Sequence, residues 1–221
     1  MKLLQEVSMK YKLVIFDFDG TIADTSAGII DSHRFALSYM KKDIPSDVEL
    51  RRVIGGHLLD TYIQRFGFTE LQAREAIQVY RERYAKVGIY KAELYPEFTN
   101  MVKKLHESGY LIGVATLKAE KFANIMLQEM KIRNYFNMVC GMDEHDDLDK
   151  AGLIKKCCSI SDINEKNAIL VGDSDNDLRG ARKAGVDFLG VTYGFGFQKN
   201  QKYDFQTVDS VVDIQRYLLS D

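Results

Sequence analysis

A run of apolar and β-forming residues, Tyr11 to Phe16, leads directly into Asp17-Phe18-Asp19-Gly20-Thr21. That run reads as a buried strand, and it delivers two carboxylates to its carboxyl end. Carboxylates there are costly unless paired or bound to a cation. Open α/β sheets bind their ligands at that edge. A second run, Ala168-Ile169-Leu170-Val171, leads into Gly172-Asp173-Ser174-Asp175-Asn176-Asp177. If both strands lie in one parallel sheet, both acidic loops open on the same edge. Hard oxygen ligands in that arrangement suit Mg²⁺, which also keeps waters and phosphate oxygens. One Asp there is a candidate nucleophile, and two spaced by one residue can divide metal binding and proton transfer.

Two simpler readings of the second cluster fit it less well. A calcium loop opening at Asp173 needs Gly at its sixth position and Glu at its twelfth. Those positions are Leu178 and Ala184. Asp173 as a helix N-cap is the common role for an isolated Asp. It loses ground because Asp17 and Asp19 stand in the same chain.

The rest of the chain alternates. Helical patterns are expected over 27–41, 46–66 and 69–84, with Leu71, Ala76, Ile77 and Tyr80 as an apolar stripe in the last. This block shows no convincing strand. After Tyr95-Pro96, helices over 97–108, 119–130, 151–160, 178–184 and 209–219 alternate with strands over 110–115, 136–140, 168–171 and 188–191. Gly109 and Gly185 mark helix ends. Such alternation argues for a parallel sheet covered by helices. The expected fold is an α/β, Rossmann-like parallel sheet core over 11–23 and 96–221, with an inserted α-helical domain over 24–95.

Length and charge narrow the partners. The chain has 221 residues, 46% of them hydrophobic, and a net charge of −2. That balance gives no broad pull toward nucleic acid or membrane. No stretch is apolar enough to span a bilayer, and residues 1–10 lack the apolar core of a signal peptide. Cys140, Cys157 and Cys158 fit a reducing compartment, and the adjacent Cys157 and Cys158 fit burial as small apolar groups on a helix. A cytoplasmic protein, monomeric or homodimeric, is expected.

Asp17-x-Asp19-Gly20-Thr21 resembles the first motif of the haloacid dehalogenase-like hydrolases, and Gly172-Asp173-Ser174-x-x-Asp177 resembles the fourth. Thr116, after Val114-Ala115, matches the second, and Lys150 is the best candidate for the third, with Lys155 and Lys156 as alternatives. The resemblance runs from about Tyr11 to the C-terminus. It implies a Mg²⁺-dependent phosphatase of the helical-cap, phosphoglycolate phosphatase-like group, acting on a small phosphorylated metabolite. In that scheme Asp17 is the nucleophile and Asp19 the general acid and base. Asp17 and Asp173 hold Mg²⁺ by their side chains, Asp19 by its backbone carbonyl, and Asp177 supports them. Thr116 and Lys150 hold the phosphoryl group. Gly20, Thr116, Leu117, Lys118 and Arg52 would meet the substrate. Asp24 and Thr25 would form the hinge into the cap.

Two departures from phosphoglycolate phosphatases stand out. Leu117 occupies the middle of a motif that often reads Thr-Asn-Lys, and Ala151 follows Lys150 where Pro is common. Rival activities are a β-phosphoglucomutase-like phosphomutase, a nucleotidase and a pyrophosphatase. The mutases usually read Glu-Asp-Ser-x-x-Gly at the fourth motif, which Gly172 and Asp177 do not match. A dehalogenase has no need of Asp19. A non-catalytic binding module would not require Asp17, Asp19, Thr116 and Asp173 together.

Overall fold

The computed structural model describes residues 10–143 and 148–220. The N-terminal segment, and most of the acidic run before Lys150, lie outside the described residues.

The central strand is β1 (Leu13–Phe16), four apolar residues fully buried. Burial on both faces is what a continuous apolar run needs, and it is met in a parallel sheet with helices on each side. The chain then forms β2 (Ala23–Asp24), α1 (Ser26–Tyr39), α2 (Asp47–Arg51), α3 (Leu58–Asp60), a π turn at Thr61–Arg65, α4 (Glu70–Lys86) and β3 (Glu93–Leu94). It continues through α5 (Phe98–Glu107), β4 (Leu111–Ala119), α6 (Glu120–Glu129), β5 (Met138–Met142) and α7 (Lys150–Ser161). It ends with β6 (Ala168–Gly172), α8 (Asp175–Ala184), β7 (Asp187–Val191), β8 (Thr207–Val208) and α9 (Val211–Leu219). The sheet order is β5-β4-β1-β6-β7-β8, and its neighbouring strands pair in parallel. The expected α/β architecture is the one observed.

Three expectations are corrected. The stretch 46–66 is not one helix. α2 stops after five residues, and Gly55 at φ +77° breaks the pattern before α3 and the π turn. Leu71 is not in the apolar stripe of α4 but 81% exposed, while Ala73, Ala76, Ile77, Tyr80 and Tyr84 are buried. Five residues separate Leu71 from Ala76, which on a 3.6-residue helix is about four-tenths of a turn off the stripe. The helical block is also not free of strands. β2 and β3 pair antiparallel where the chain leaves the sheet and where it returns.

The helices of this block pack closely. A Cβ on Gly28 would overlap the backbone of Gly88, so α1 approaches the segment after α4 at a distance only glycine permits. Beneath them His33, Tyr62, Phe66 and Tyr80 form a ring cluster, with centroid separations from His33 of 4.6 to 5.7 Å. No described helix is long and apolar enough to cross a membrane.

Candidate active site

β4, β1 and β6 are neighbours and parallel. Asp17 and Asp173 follow directly on β1 and β6, Thr116 follows the regularly paired part of β4, and all three are buried. Pairing of β4 with β5 is regular to Ala115–Cys140 and resumes at Ala119–Met142, so four residues of β4 advance against two of β5. Thr116, Leu117 and Lys118 occupy that irregularity. Gly172 ends β6 where a Cβ would press on Asp177. Ser174 then caps α8 in a reciprocal box with Asp177, whose Oδ2 accepts from the Ser174 hydroxyl at 2.6 Å.

Lys150, the first residue of α7, reaches under this edge. Its Nζ lies 2.5 Å from Asp17 Oδ1 and 2.7 Å from Asp177 Oδ1, with all three side chains buried. Burial alone would depress the ammonium, but the two carboxylates hold it above its ordinary value. Lys156 instead faces Glu120 at 3.4 Å in a half-exposed pair.

The carboxylates outnumber the cation. Burial, reinforced by Asp177 and Asp19 and opposed by Lys150, pushes Asp17 up to about 7. Burial and the charges of Asp177 and Asp17 push Asp173 well above the usual carboxylate range. Asp17, Asp173 and Asp177 offer oxygens within 4.8 Å of one another. A buried, all-oxygen donor set with an excess of negative charge fits Mg²⁺.

Asp173 is further held by a loop that sequence reasoning missed. The backbone amides of Phe195 and Gly196 donate to Asp173 Oδ2 at 2.6 and 3.3 Å, and the Phe197 amide donates to its carbonyl at 2.8 Å. The available signal was Gly194-Phe195-Gly196 following a strand at the same sheet edge. Gly20, at φ +83°, faces this loop. A Cβ there would overlap both Asp173 and Phe195.

Asp19 sits apart from the carboxylate cluster. Its Oδ1 accepts from Thr25 Oγ1 at 2.7 Å and lies 3.0 Å from Lys118 Nζ. Lys118 also donates to the hydroxyl of Tyr84 on α4 at 2.7 Å. No local pattern in the sequence marks Thr25 or Tyr84 for these contacts. Thr116 Oγ1 accepts from the Lys118 amide at 3.2 Å.

Two spaces adjoin these groups. A compact cavity of about 50 Å³ lies between Asp17, Asp19, Thr116 and Lys118 on one side and His33, Ile54, Tyr80 and Tyr84 on the other, with Leu117 also lining it. An open cleft of about 930 Å³ borders Lys150, Asp173, Arg51, Arg52 and Arg179. Arg52 thus lies with the cleft and not among the residues around Asp19. The helical block meets the sheet edge at a further point, where Asn176 Nδ2 donates to the Gly55 carbonyl at 3.1 Å. Within the block, Arg51 donates to Ser26 Oγ at 2.9 Å.

Buried carboxylates gathered at one sheet edge, with a lysine among them, are the setting of a phosphoric monoester hydrolase. The chain belongs to the haloacid dehalogenase-like hydrolases, whose family model matches residues 14–191. It is 31% identical to a 5'-nucleotidase of Pseudomonas aeruginosa over 87% of this chain and 88% of that protein. It is 30% identical to a phosphoglycolate phosphatase of Psychrobacter arcticus over 96% and 97% of the two chains. Its fold matches the crystal structure of a predicted phosphatase from Clostridium acetobutylicum at TM-score 0.89 and 28% identity, covering 96% of this chain and 99% of that one.

Proposed function

We propose that the chain is a Mg²⁺-dependent phosphatase of a compact phosphate monoester, acting through an aspartyl phosphate on Asp17. The observation that carries this reading is the adjacency of Asp17, Thr116 and Asp173 on three neighbouring strands, with Lys150 against Asp17.

An Asp17 carboxylate oxygen attacks phosphorus, and the bond from phosphorus to the ester oxygen breaks. Asp19 gives its proton to the departing oxygen. Asp19 then takes a proton from water as that water attacks the aspartyl phosphate, releasing inorganic phosphate and regenerating Asp17. Thr116 donates its hydroxyl to a phosphoryl oxygen, and Lys150 holds Asp17 and the phosphoryl group as a fixed cation. Asp17, Asp173 and the Asp19 carbonyl would hold Mg²⁺, with Asp177 in support. When bound, the ion offsets the repulsion between a carboxylate and a phosphate and stabilises charge on the transferring group.

The helical block 24–95 acts as the cap, and β2–β3 is its hinge at Asp24. The leaving oxygen must lie within reach of Asp19, so the leaving group occupies the compact cavity beside it. About 50 Å³ suits a few heavy atoms. Lys118, buried among Phe18, Tyr84 and Asp19, is a cation for an anionic group on that fragment. A phosphoglycolate-like substrate meets both demands. A nucleotidase is the second reading, favoured by the open cleft of about 930 Å³ with Arg51, Arg52 and Arg179 at its border. Three free, buried cysteines support a cytoplasmic setting.

The test is phosphate release from phosphoglycolate, sugar phosphates, nucleotides and pyrophosphate, with Mg²⁺ and with chelator. Chelator-sensitive release that favours compact anionic esters supports the reading. Preference for nucleoside monophosphates moves it to the nucleotidase. Isomer formation from a sugar 1-phosphate without phosphate release overturns it in favour of a mutase.

A further inference from the structure

Arg51 lies at the end of α2, one residue before the arginine expected to meet substrate. Its guanidinium carbon stands 5.4 Å from the centroid of the Phe195 ring. The same guanidinium donates to Ser26 Oγ at 2.9 Å and lies 3.9 Å from Asp24 Oδ2, at the hinge. Phe195 is the residue whose backbone amide makes the 2.6 Å hydrogen bond to Asp173 Oδ2. One cap side chain therefore ties the hinge to the loop that cradles a carboxylate of the metal cluster.

The loop has little freedom of its own. Gly194 packs where a Cβ would overlap Asp173 and the Gly20 carbonyl, and Gly196 packs against the Asp173 carbonyl. Tyr193 donates its hydroxyl to the Thr21 carbonyl at 2.9 Å and its ring lies 4.5 Å from that of Tyr95. The Phe195 ring and the two amides that aim Asp173 thus belong to one closely packed segment.

We infer that Arg51 is a positioning residue that couples cap closure to the orientation of Asp173, acting through the Phe195 ring. The inference rests on the phosphatase reading above. Arg51 touches none of the reacting groups. It favours the closed cap by bridging Asp24, Ser26 and Phe195, and in that state the Phe195 and Gly196 amides hold the Asp173 carboxylate in place for a cation. Coupling of this kind is reciprocal, so a cation at Asp173 must favour closure to the same degree.

The experiment is titration calorimetry of Mg²⁺ into the full chain without substrate, for the wild type, Arg51→Ala, Phe195→Leu and the double variant, alongside melting in chelator. Arg51→Ala is expected to weaken Mg²⁺ binding roughly two- to fivefold, the range of a half-exposed cation–π contact. Phe195→Leu should do the same, and the double variant should be no weaker than either single one. Arg51→Lys should fall between, since it keeps the charge but stacks less well. Melting in chelator should be nearly unchanged for Arg51→Ala, which separates positioning from a structural role. Wild-type Mg²⁺ affinity in Arg51→Ala, or losses that multiply in the double variant, would overturn the coupling and leave the phosphatase reading intact. A wild-type chain that takes up no Mg²⁺ would overturn both.

Discussion

Replacing Lys150 with Met removes a buried cation at almost constant length, and the outcome reports directly on the carboxylate cluster. Nζ lies 2.5 Å from Asp17 and 2.7 Å from Asp177, and the side chains are 7%, 6% and 1% exposed. Removing one partner of a buried pair costs about 3–5 kcal/mol, because the remaining charge is left without compensation. For a chain of this size each kcal/mol is worth roughly 2–4 °C, so melting in chelator should fall by about 6–20 °C. Part of the loss can be recovered by protonation. Asp17 sits at about 7 even with Lys150 beside it, and without the ammonium it rises further. A carboxyl whose folded pKa lies above its unfolded value stabilises the fold at acid pH and loses that contribution as pH rises through the folded pKa. The deficit of Lys150→Met should therefore be larger at pH 8 than at pH 6, and Mg²⁺ should restore part of it. Urea unfolding of wild type and variant at both pH values, with and without Mg²⁺, measures this. Lys156→Met, at a half-exposed pair with Glu120, serves as the control and should change stability by less than about 0.5 kcal/mol. A Lys150→Met chain within about 1 kcal/mol of wild type in chelator at pH 8 would refute the pairing.

Asp17→Asn should abolish phosphate release while melting within a few degrees of wild type or above it, since a repelled buried carboxylate becomes neutral at the same volume; turnover at wild-type rate would exclude the covalent route. Asp19→Asn should slow alkyl phosphates by about 10²–10⁴-fold and an activated aryl phosphate much less, because acid assistance matters least for good leaving groups; equal losses on both would remove the acid role. His33 is fully buried among rings and pushed down to about 3, so it stays neutral in the fold while the unfolded chain takes a proton below pH 6.5. Its folded pKa is depressed, so stability is lost as pH falls from 6.5, by about 2 kcal/mol at pH 5. Urea midpoints at pH 7 and pH 5 should converge by that amount in His33→Phe, and an unchanged pH dependence would show that another group carries the acid sensitivity.

What the sequence made legible, and what it hid, follows from the range of the interactions involved. Asp17 and Asp173 announce themselves because each ends an apolar run, and local order is enough to put a carboxylate at a strand's carboxyl end. Their adjacency needs only the parallel alternation. Lys150, Lys155 and Lys156 could not be separated in that way, since all three lie in one helical stretch. The choice is made by the third dimension: only the first turn of α7 comes up beneath Asp17 and Asp177. The same holds for Arg51 and Arg52, which are neighbours in sequence but roughly 100° apart on a helix. Both border the cleft, but Arg51 turns to the hinge and Phe195. The ribbon β2–β3 was invisible because two-residue strands have no period to detect, and its partners are some seventy residues apart. Leu71 misled because it is apolar at a position the helix turns toward water. The cradle around Asp173 was hidden for a different reason. Its hydrogen bonds come from backbone amides, which every residue carries, and only the glycines at 194 and 196 mark where the chain can come close enough to donate them. Side-chain motifs thus reveal which charges a site needs. The groups that aim those charges belong to backbone and to distant helices, and they become visible only once the sheet has brought its strand ends together.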